Sequence, residues 1–434
     1  MSYLHPQYET MSPEDLRALQ LKELKQTLER VAQTPFYTDL FKENGVDPDT
    51  FSSLDQLREL PFTTKQDLRD HYPFGLAAVP MNEVVRLHSS SGTTGNPTVI
   101  LHTQKDLDMW AQQVARCLYM VGLRKSDVFQ NTSGYGMFTG GLGFQYGAEC
   151  LGALTVPAAA GNSKRQVKFI VDFGTTAIHA IPSYATRLAE VMEEEGYGIH
   201  GIPTRLKTLI IGAEPHSEEQ RKRIEQLLGV KAYNCYGMSE LCGPGVAFEC
   251  TEQNGLHIWE DYYLAEIIDP ITLEPVAEGE VGELVLTTLK REAMPLIRYR
   301  TRDLTRFLSG KCPCGRTHRR IDRFQGRSDD MIILKGVNIF PVQVERILMQ
   351  FPELGNNYLI TLESKNNNDE MVVDVELNEL YSEDYNVLKG LSREITRRLK
   401  DELLITPLVR LANKGTLPQS DGKAVRVRDL RKFI

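Results

Sequence analysis

The chain has 434 residues, too many for one ordinary hydrophobic core, so a large and a small domain are expected. Its 41% hydrophobic and 25% charged content is that of a soluble globular protein and excludes a disordered chain, and no apolar run approaches the ~20 residues needed to cross a bilayer. A net charge of -8 leaves no basic footprint for nucleic acid, so any polyanionic ligand must be met by positive charge placed locally.

The first stretch, Met1 to Gln20, carries early acidic residues and no apolar core segment, so neither a signal nor a transit peptide is expected. Seven cysteines, an odd number spread unevenly, argue against a secreted disulfide framework. The expectation is a cytoplasmic protein, with no membrane partner, whose thiols are reduced or bind metal. Ser12-Pro13-Glu14-Asp15 is a helix start, with a hydroxyl cap, proline in the first turn and acids near the positive end of the dipole. Leu21, Leu24, Leu28 and Val31 then recur at helical spacing and read as packing. Pro61 to Lys65 opens a second helical piece.

Val84 to Leu87 reads as a strand leading into Ser89-Ser90-Ser91-Gly92-Thr93-Thr94-Gly95-Asn96-Pro97-Thr98, and Val99 to His102 leaves as its hairpin partner. Gly92 and Gly95 let backbone N–H groups turn inward where a Cβ would obstruct them, and the Ser and Thr hydroxyls add donors, a combination that suits a nucleoside triphosphate. It is not a Walker A loop, because Asn96-Pro97 follows the second glycine where Lys-Ser/Thr would stand. By composition alone it is equally a linker. A helix through Trp110 and Val121 leads to Gly134-Tyr135-Gly136-Met137-Phe138-Thr139-Gly140-Gly141-Leu142-Gly143. These glycines allow a ligand close to the backbone, with Tyr135 and Phe138 as an apolar wall, or they begin a helix beside core aromatics.

Thr176 to Ile181, Leu206 to Ile211 and Val230 to Cys235 are apolar strands alternating with capped helices, one begun by Ser217-Glu218-Glu219 and closed by Gly229. Ligand sites in open α/β sheets gather at strand ends, which here carry Gly212-Ala213-Glu214-Pro215 and Tyr236-Gly237-Met238-Ser239-Glu240. Read alone, the second of these is also a helix cap. Pro182-Ser183-Tyr184 is a pocket candidate or only a turn. Cys250, His257, Cys312 and Cys314 supply a Cys₃His set for a closed, structural Zn²⁺, although Cys-x-Cys is tighter than the common Cys-x₂-Cys knuckle. Cys117, Cys150, Cys235 and Cys242 read as buried small residues.

Val281 to Leu286 is a strand, followed by Arg298, Arg300 and Arg302 beside Asp303, which alone would be a surface ion-pair cluster. Beyond Gly326-Arg327-Ser328-Asp329-Asp330 comes a compact α+β pattern: helix Pro341 to Gln350, strands near Tyr358 to Leu362 and Met371 to Leu377, a helix from Ser382 to Leu403, and strand Leu408 to Asn413. Lys423 follows Gly422 in a turn. From there its ammonium can reach across a domain interface to neutralise charge on a phosphate, or it is a solvated surface charge.

In this order, from Ser89 to Arg426, SSSGTTGNPT, YGMSE, YRTRD, GRSDD and the Pro418-x₃-Gly422-Lys423-x₂-Arg426 pattern resemble the motifs of the adenylate-forming superfamily, the acyl-CoA synthetases, luciferases and peptide-synthetase adenylation domains. GYGMFTGGLG narrows the likeness to the branch that joins arylacetic acids, phenylacetate among them, to coenzyme A. The resemblance implies an α/β fold with a large multi-sheet N-terminal adenylation domain, residues 1–326, and a small α+β C-terminal domain, residues 327–434, that rotates about a hinge at Asp329.

It implies that Ser90, Ser91, Gly92, Thr93, Thr94 and Gly95 grip the phosphates of ATP. Members often carry Lys where Asn96 stands, so neutralisation here leans on backbone donors and Mg²⁺. Gly212, Ala213, Glu214 and Pro215 lie near the base or ribose, and Tyr236, Gly237, Met238 and Ser239 also line the nucleotide, Tyr236 with a ring face for adenine and Ser239 with a hydroxyl for phosphate. Glu240 offers a hard carboxylate to Mg²⁺, and Asp303 an acceptor-only one to the ribose diol. Arg327 contacts phosphate or ribose, Tyr135, Phe138 and Gly141 line the aryl-acid pocket, and a surface near Gly336 meets coenzyme A. Lys423, Glu240 and Thr94 are the catalytic set. The implied enzyme is an AMP-forming acid–thiol ligase and a homodimer, acting on a small carboxylic acid, ATP and coenzyme A. Two alternatives stay open: a different acid or acceptor, such as indoleacetate or a deazaflavin cofactor, and a nucleotide-binding relative without turnover.

Overall fold

The computed structural model describes residues 2–90, 97–365, 368–378, 384–418 and 424–431. Local signals near the start are realised directly: the Ser12 hydroxyl accepts from Asp15 N, and the helix Pro13–Val31 buries Leu24, Leu28 and Val31. Thr64 and Asp67 form a reciprocal capping box at the helix Lys65–Asp70. By internal contacts the chain divides into two units, Met1–Ala180 with Thr204–Ile211 and Tyr233–Arg323, and Ile181–Pro203 with Gly212–Ala232 and Phe324–Ile434.

A nine-stranded mixed sheet is the frame of the first unit, in the order Phe307–Leu308, Arg320–Ile321, Leu256–Ile258, Gly243–Glu249, Lys231–Met238, Thr208–Gly212, Ala177–Ala180, Val128–Asn131, Leu154–Val156. Val128–Asn131 pairs parallel with both of its neighbours, which requires crossovers, and the helices Thr139–Leu151 and Ser163–Asp172 supply them. The other half of the sheet is antiparallel, with Phe248 opposite His257 and His257 opposite Arg320.

The helices Gln104–Met120 and Thr139–Leu151 pack at glycine. A Cβ at Gly143 would stand 2.3 Å from the Trp110 ring, and one at Gly147 would stand 2.3 Å from Val114. Trp110, Phe129, Phe144 and Phe248 fill the core beside them. Strands Tyr263–Ile268, Gly282–Thr288 and Tyr299–Thr305 pair antiparallel as a further sheet. Arg86–Ser89 and Val99–His102 form the expected hairpin, with Ser89 opposite Val99.

In the second unit Leu354–Lys365 and Asn368–Leu377 pair antiparallel, and Leu408–Ala412 and Val427–Asp429 add parallel strands at the edges. The helices Pro341–Leu348 and Tyr385–Leu403 cover this sheet through Val344, Leu348, Leu391, Ile395 and Leu399. No helix among the described residues is long and apolar enough to cross a membrane. Cys117, Cys235 and Cys242 are buried as expected. Cys150 is not: it lies at the exposed end of the helix Thr139–Leu151, whose buried face is carried by Gly143, Phe144, Gly147 and Ala148.

Candidate functional site

The strand Lys231–Met238 runs into a tight turn that carries the Glu240 carboxylate. A Cβ at Gly237 would sit 1.9 Å from the Gly243 carbonyl oxygen, so only glycine permits this approach. Buried Arg291 donates to the backbone carbonyls of Glu240 and Leu101, tying the turn to the strand Val99–His102. Glu240 is itself buried. Its Oε1 lies 3.6 Å from Lys65 Nζ and 3.5 Å from Thr98 Oγ1, whose hydroxyl donates to Ser90 Oγ at 2.6 Å.

Ser90 and Thr98, which bracket the phosphate loop, thus meet beside this carboxylate. Ser91, Gly92, Thr93, Thr94, Gly95 and Asn96 lie outside the described residues, as does Lys423. Ser239 Oγ stands 3.2 Å from Thr139 Oγ1, and Tyr236 donates its hydroxyl to Asp303 Oδ2 at 2.7 Å. The arginines beside Asp303 are engaged elsewhere: Arg298 makes a bidentate pair with Glu266, and Arg300 one with Glu283. Tyr236, Ser239, Glu240 and Asp303 therefore belong to one constellation in the first unit. Sequence reasoning missed Lys65 and Arg291; for Lys65 the only local signal is the capping box that fixes the first turn of its helix.

The glycine-rich segment is stitched to the hairpin. Met137 O accepts from Ser89 N at 2.9 Å and from His88 Nδ1 at 3.1 Å. Asn131 Nδ2 donates to the Tyr135 hydroxyl at 3.2 Å and to Gly141 O at 2.6 Å. A Cβ at Gly141 would meet Gly134 O at 2.5 Å, so this glycine lets the helix start fold back on its own loop. The Phe138 side chain is 54% exposed. Under the segment, His179 stacks on Phe144 at 4.0 Å and pairs with Ser133 Oγ at 2.8 Å; burial pushes its imidazole down to about 3.

In the second unit the strand end Gly212 is followed by Ala213 in the left-handed region at φ 67°, a conformation that costs a non-glycine residue about 1 kcal/mol or more. Glu214 is pinned by three donors: Ser183 N at 3.1 Å, Ser183 Oγ at 2.9 Å and Ala424 N at 2.8 Å. Pro182 and Ser183 open the helix Pro182–Glu194 rather than an isolated turn. Arg327 forms a bidentate pair with Asp329 at 2.8 and 2.9 Å. Lys335 and Gly336, both at positive φ, make the two-residue turn between Ile332–Leu334 and Val337–Ile339, with Leu334 opposite Val337.

Cys250, His257, Cys312 and Cys314 converge in the first unit, all buried, with ligand atoms within 4.8 Å of one another. Cys250 Sγ lies 3.6 Å from Cys312 Sγ, and Cys314 Sγ lies 3.3 Å from His257 Nε2. A tetrahedral zinc with sulfur ligands has edges of about 3.8 Å, so these separations suit the metal. His257 Nδ1 donates to His318 O at 3.2 Å, which leaves the Nε2 lone pair for a metal.

Residues 14–289 match the AMP-binding enzyme family, and residues 336–431 match the AMP-binding enzyme C-terminal domain. The chain belongs to the AMP-binding enzyme family, the adenylate-forming class that its fold and its Tyr236–Glu240 turn define. Within that family it is 46% identical to the phenylacetate-coenzyme A ligase of Thermus thermophilus, over 98% of this chain and 99% of the relative. It is likewise 46% identical to that of Escherichia coli, over 98% and 97%. Among solved structures, 2-hydroxyisobutyryl-CoA ligase in its postadenylation state matches with a TM-score of 0.92 at 30% identity, covering 98% of this chain and 91% of that one.

Proposed function

We propose that the protein activates an arylacetic acid, phenylacetate or a close analogue, with ATP and passes the acyl group to coenzyme A. The observation that carries this reading is the nearly full-length 46% identity to phenylacetate-coenzyme A ligases. In the first half-reaction a carboxylate oxygen attacks the α-phosphorus, a new P–O bond forms, and the bond to the bridging oxygen breaks to release pyrophosphate. In the second, the coenzyme A thiol gives up its proton, sulfur attacks the acyl carbonyl, and AMP leaves carrying the original carboxylate oxygen. No protein nucleophile is needed, so the chain's work is positioning and electrostatics.

Ser90, Thr93, Thr94 and the backbone of residues 91–95 hold the outgoing pyrophosphate in this reading. Asp303 accepts the ribose hydroxyls, and Tyr236 orders Asp303 through its hydroxyl. Tyr135, Phe138 and Gly141 line the acid pocket, and Arg327 reaches phosphate or ribose. The Glu240 carboxylate fits Mg²⁺, being buried and only loosely held by its polar neighbours at 3.5 and 3.6 Å. A bound magnesium supplies charge neutralisation at the phosphates. Lys65, beside Glu240, contributes a positive charge that Asn96 does not, and Lys423 offsets charge at the α-phosphate.

Residues 327–434 form the mobile domain of this reading. They turn at Asp329 to withdraw Lys423 and bring the Gly336 turn towards coenzyme A. The Cys₃His set would hold a structural Zn²⁺ and close the loop carrying Cys312 and Cys314 onto the sheet. The reading places the enzyme in the cytosol, where its cysteines stay reduced, as a homodimer. The test is AMP and thioester formation with ATP, Mg²⁺ and coenzyme A across arylacetic, benzoic and aliphatic acids, read by mass. Selective turnover of phenylacetate or an analogue supports it. Another acid or acceptor turning over, or nucleotide binding without product, replaces it.

A further inference from the structure

Glu214 stands in a stretch expected to line the nucleotide, yet its carboxylate is committed elsewhere. Oε2 accepts Ser183 N, and Oε1 accepts both Ser183 Oγ and Ala424 N, at 3.1, 2.9 and 2.8 Å. Ser183 lies in the first turn of the helix Pro182–Glu194, whose capping position, Ile181, has no side chain able to satisfy the first N–H groups. A carboxylate placed there serves as the missing cap at the positive end of the helix dipole, which fixes the Glu214 rotamer. The left-handed Ala213 aims the side chain from the strand end. The one oxygen not needed for the backbone cap is turned to the amide of Ala424, the residue after Lys423.

A second carboxylate ties the turn at Ser217 to the helix Pro341–Leu348 and the strand Leu354–Lys365. Glu345 is buried, and it accepts Ser217 N at 2.8 Å and the Tyr358 hydroxyl at 3.1 Å. Both carboxylates thus tie residues 212–232 to the chain beyond residue 324 within the second unit, Glu214 at Ala424 and Glu345 at Ser217.

We infer that Glu214 is a positioning residue for adenylation: capped against Ser183, it holds the Ala424 amide and so sets where the adjoining Lys423 acts. It does not serve as a contact to the base or ribose. The inference rests on the proposed adenylation by this chain with Lys423 as its lysine. Because the tie reaches only the lysine-bearing segment, its loss slows formation of the adenylate and spares attack by the thiol, in which Lys423 has no part.

The test uses the full chain with phenylacetate, ATP and coenzyme A. For Glu214→Ala, pyrophosphate release falls about 100-fold, the scale of an ångström-sized misplacement. ATP affinity by calorimetry and thioester formation from prepared phenylacetyl-adenylate stay within about 2-fold of wild type. In a Lys423→Ala background the same substitution costs less than about 2-fold more, because both changes act through one group. Glu214→Gln keeps the volume and one acceptor, so it gives an intermediate loss with the same split if the alanine variant folds poorly. A parallel fall in ATP affinity, equal losses in both half-reactions, or full additivity with Lys423→Ala overturns the inference. Wild type forming no thioester from any acid overturns the proposed function instead.

Discussion

His179 lies 3% exposed between Phe144 and Ser133, and burial is what lowers its proton affinity. The folded imidazole titrates at about 3, while an unfolded one takes its proton near 6.5. Below 6.5 the unfolded chain therefore binds more protons, so stability from His179 is complete above 6.5 and drains away as pH falls towards 3. One proton is worth about 1.4 kcal/mol per pH unit, or about 2 kcal/mol by pH 5. His88, His102 and His318 are shifted in the same direction, burial being the largest cause for each. Denaturation midpoints should drop from pH 7.5 to pH 5, and His179→Asn, though less stable at pH 7.5, should drop less. Equal slopes for the two proteins would show that His179 is not held neutral.

The helix pair Gln104–Met120 and Thr139–Leu151 shows what a glycine means depends on what it faces. Gly147→Ala drives a methyl to 2.3 Å from Val114, and overpacking of this kind costs about 1–3 kcal/mol. Its thermal midpoint should fall by several degrees, whereas Gly134→Ala, with nothing within 4 Å of the added carbon, should shift stability far less. Matching midpoints for the two variants would mean the helices do not pack as seen. Element starts were legible in the sequence because caps are local: Ser12, Thr64 and Ser217 each accept a nearby backbone N–H. The purpose of the glycines was not. A run such as GYGMFTGGLG reads the same whether its glycines admit a ligand or, as at Gly143, a tryptophan from another helix. Lys65 and Arg291 were illegible for a related reason, since the turn at Glu240 brings them close only after the sheet has formed.

At the scale of the molecule, ordered motifs reveal the family while the geometry adds how its parts are held. The Cys250, His257, Cys312, Cys314 cluster joins the end of one strand, the middle of another and a tight turn closed by the Gly315 N to Cys312 O bond. Protein purified without chelator should carry about one zinc per chain, and Cys312→Ser should lose the metal and melt at a lower temperature. Metal-free protein with an unchanged melting temperature would contradict a structural zinc.

The central claim is that a carboxylate oxygen of the acid bonds to the α-phosphorus of ATP. Turnover of phenylacetate labelled with ¹⁸O in both carboxylate positions tests it most directly. The account predicts one ¹⁸O in AMP for every thioester formed and none in pyrophosphate. Label in inorganic phosphate with ADP as the other product, or unlabelled AMP, would contradict it.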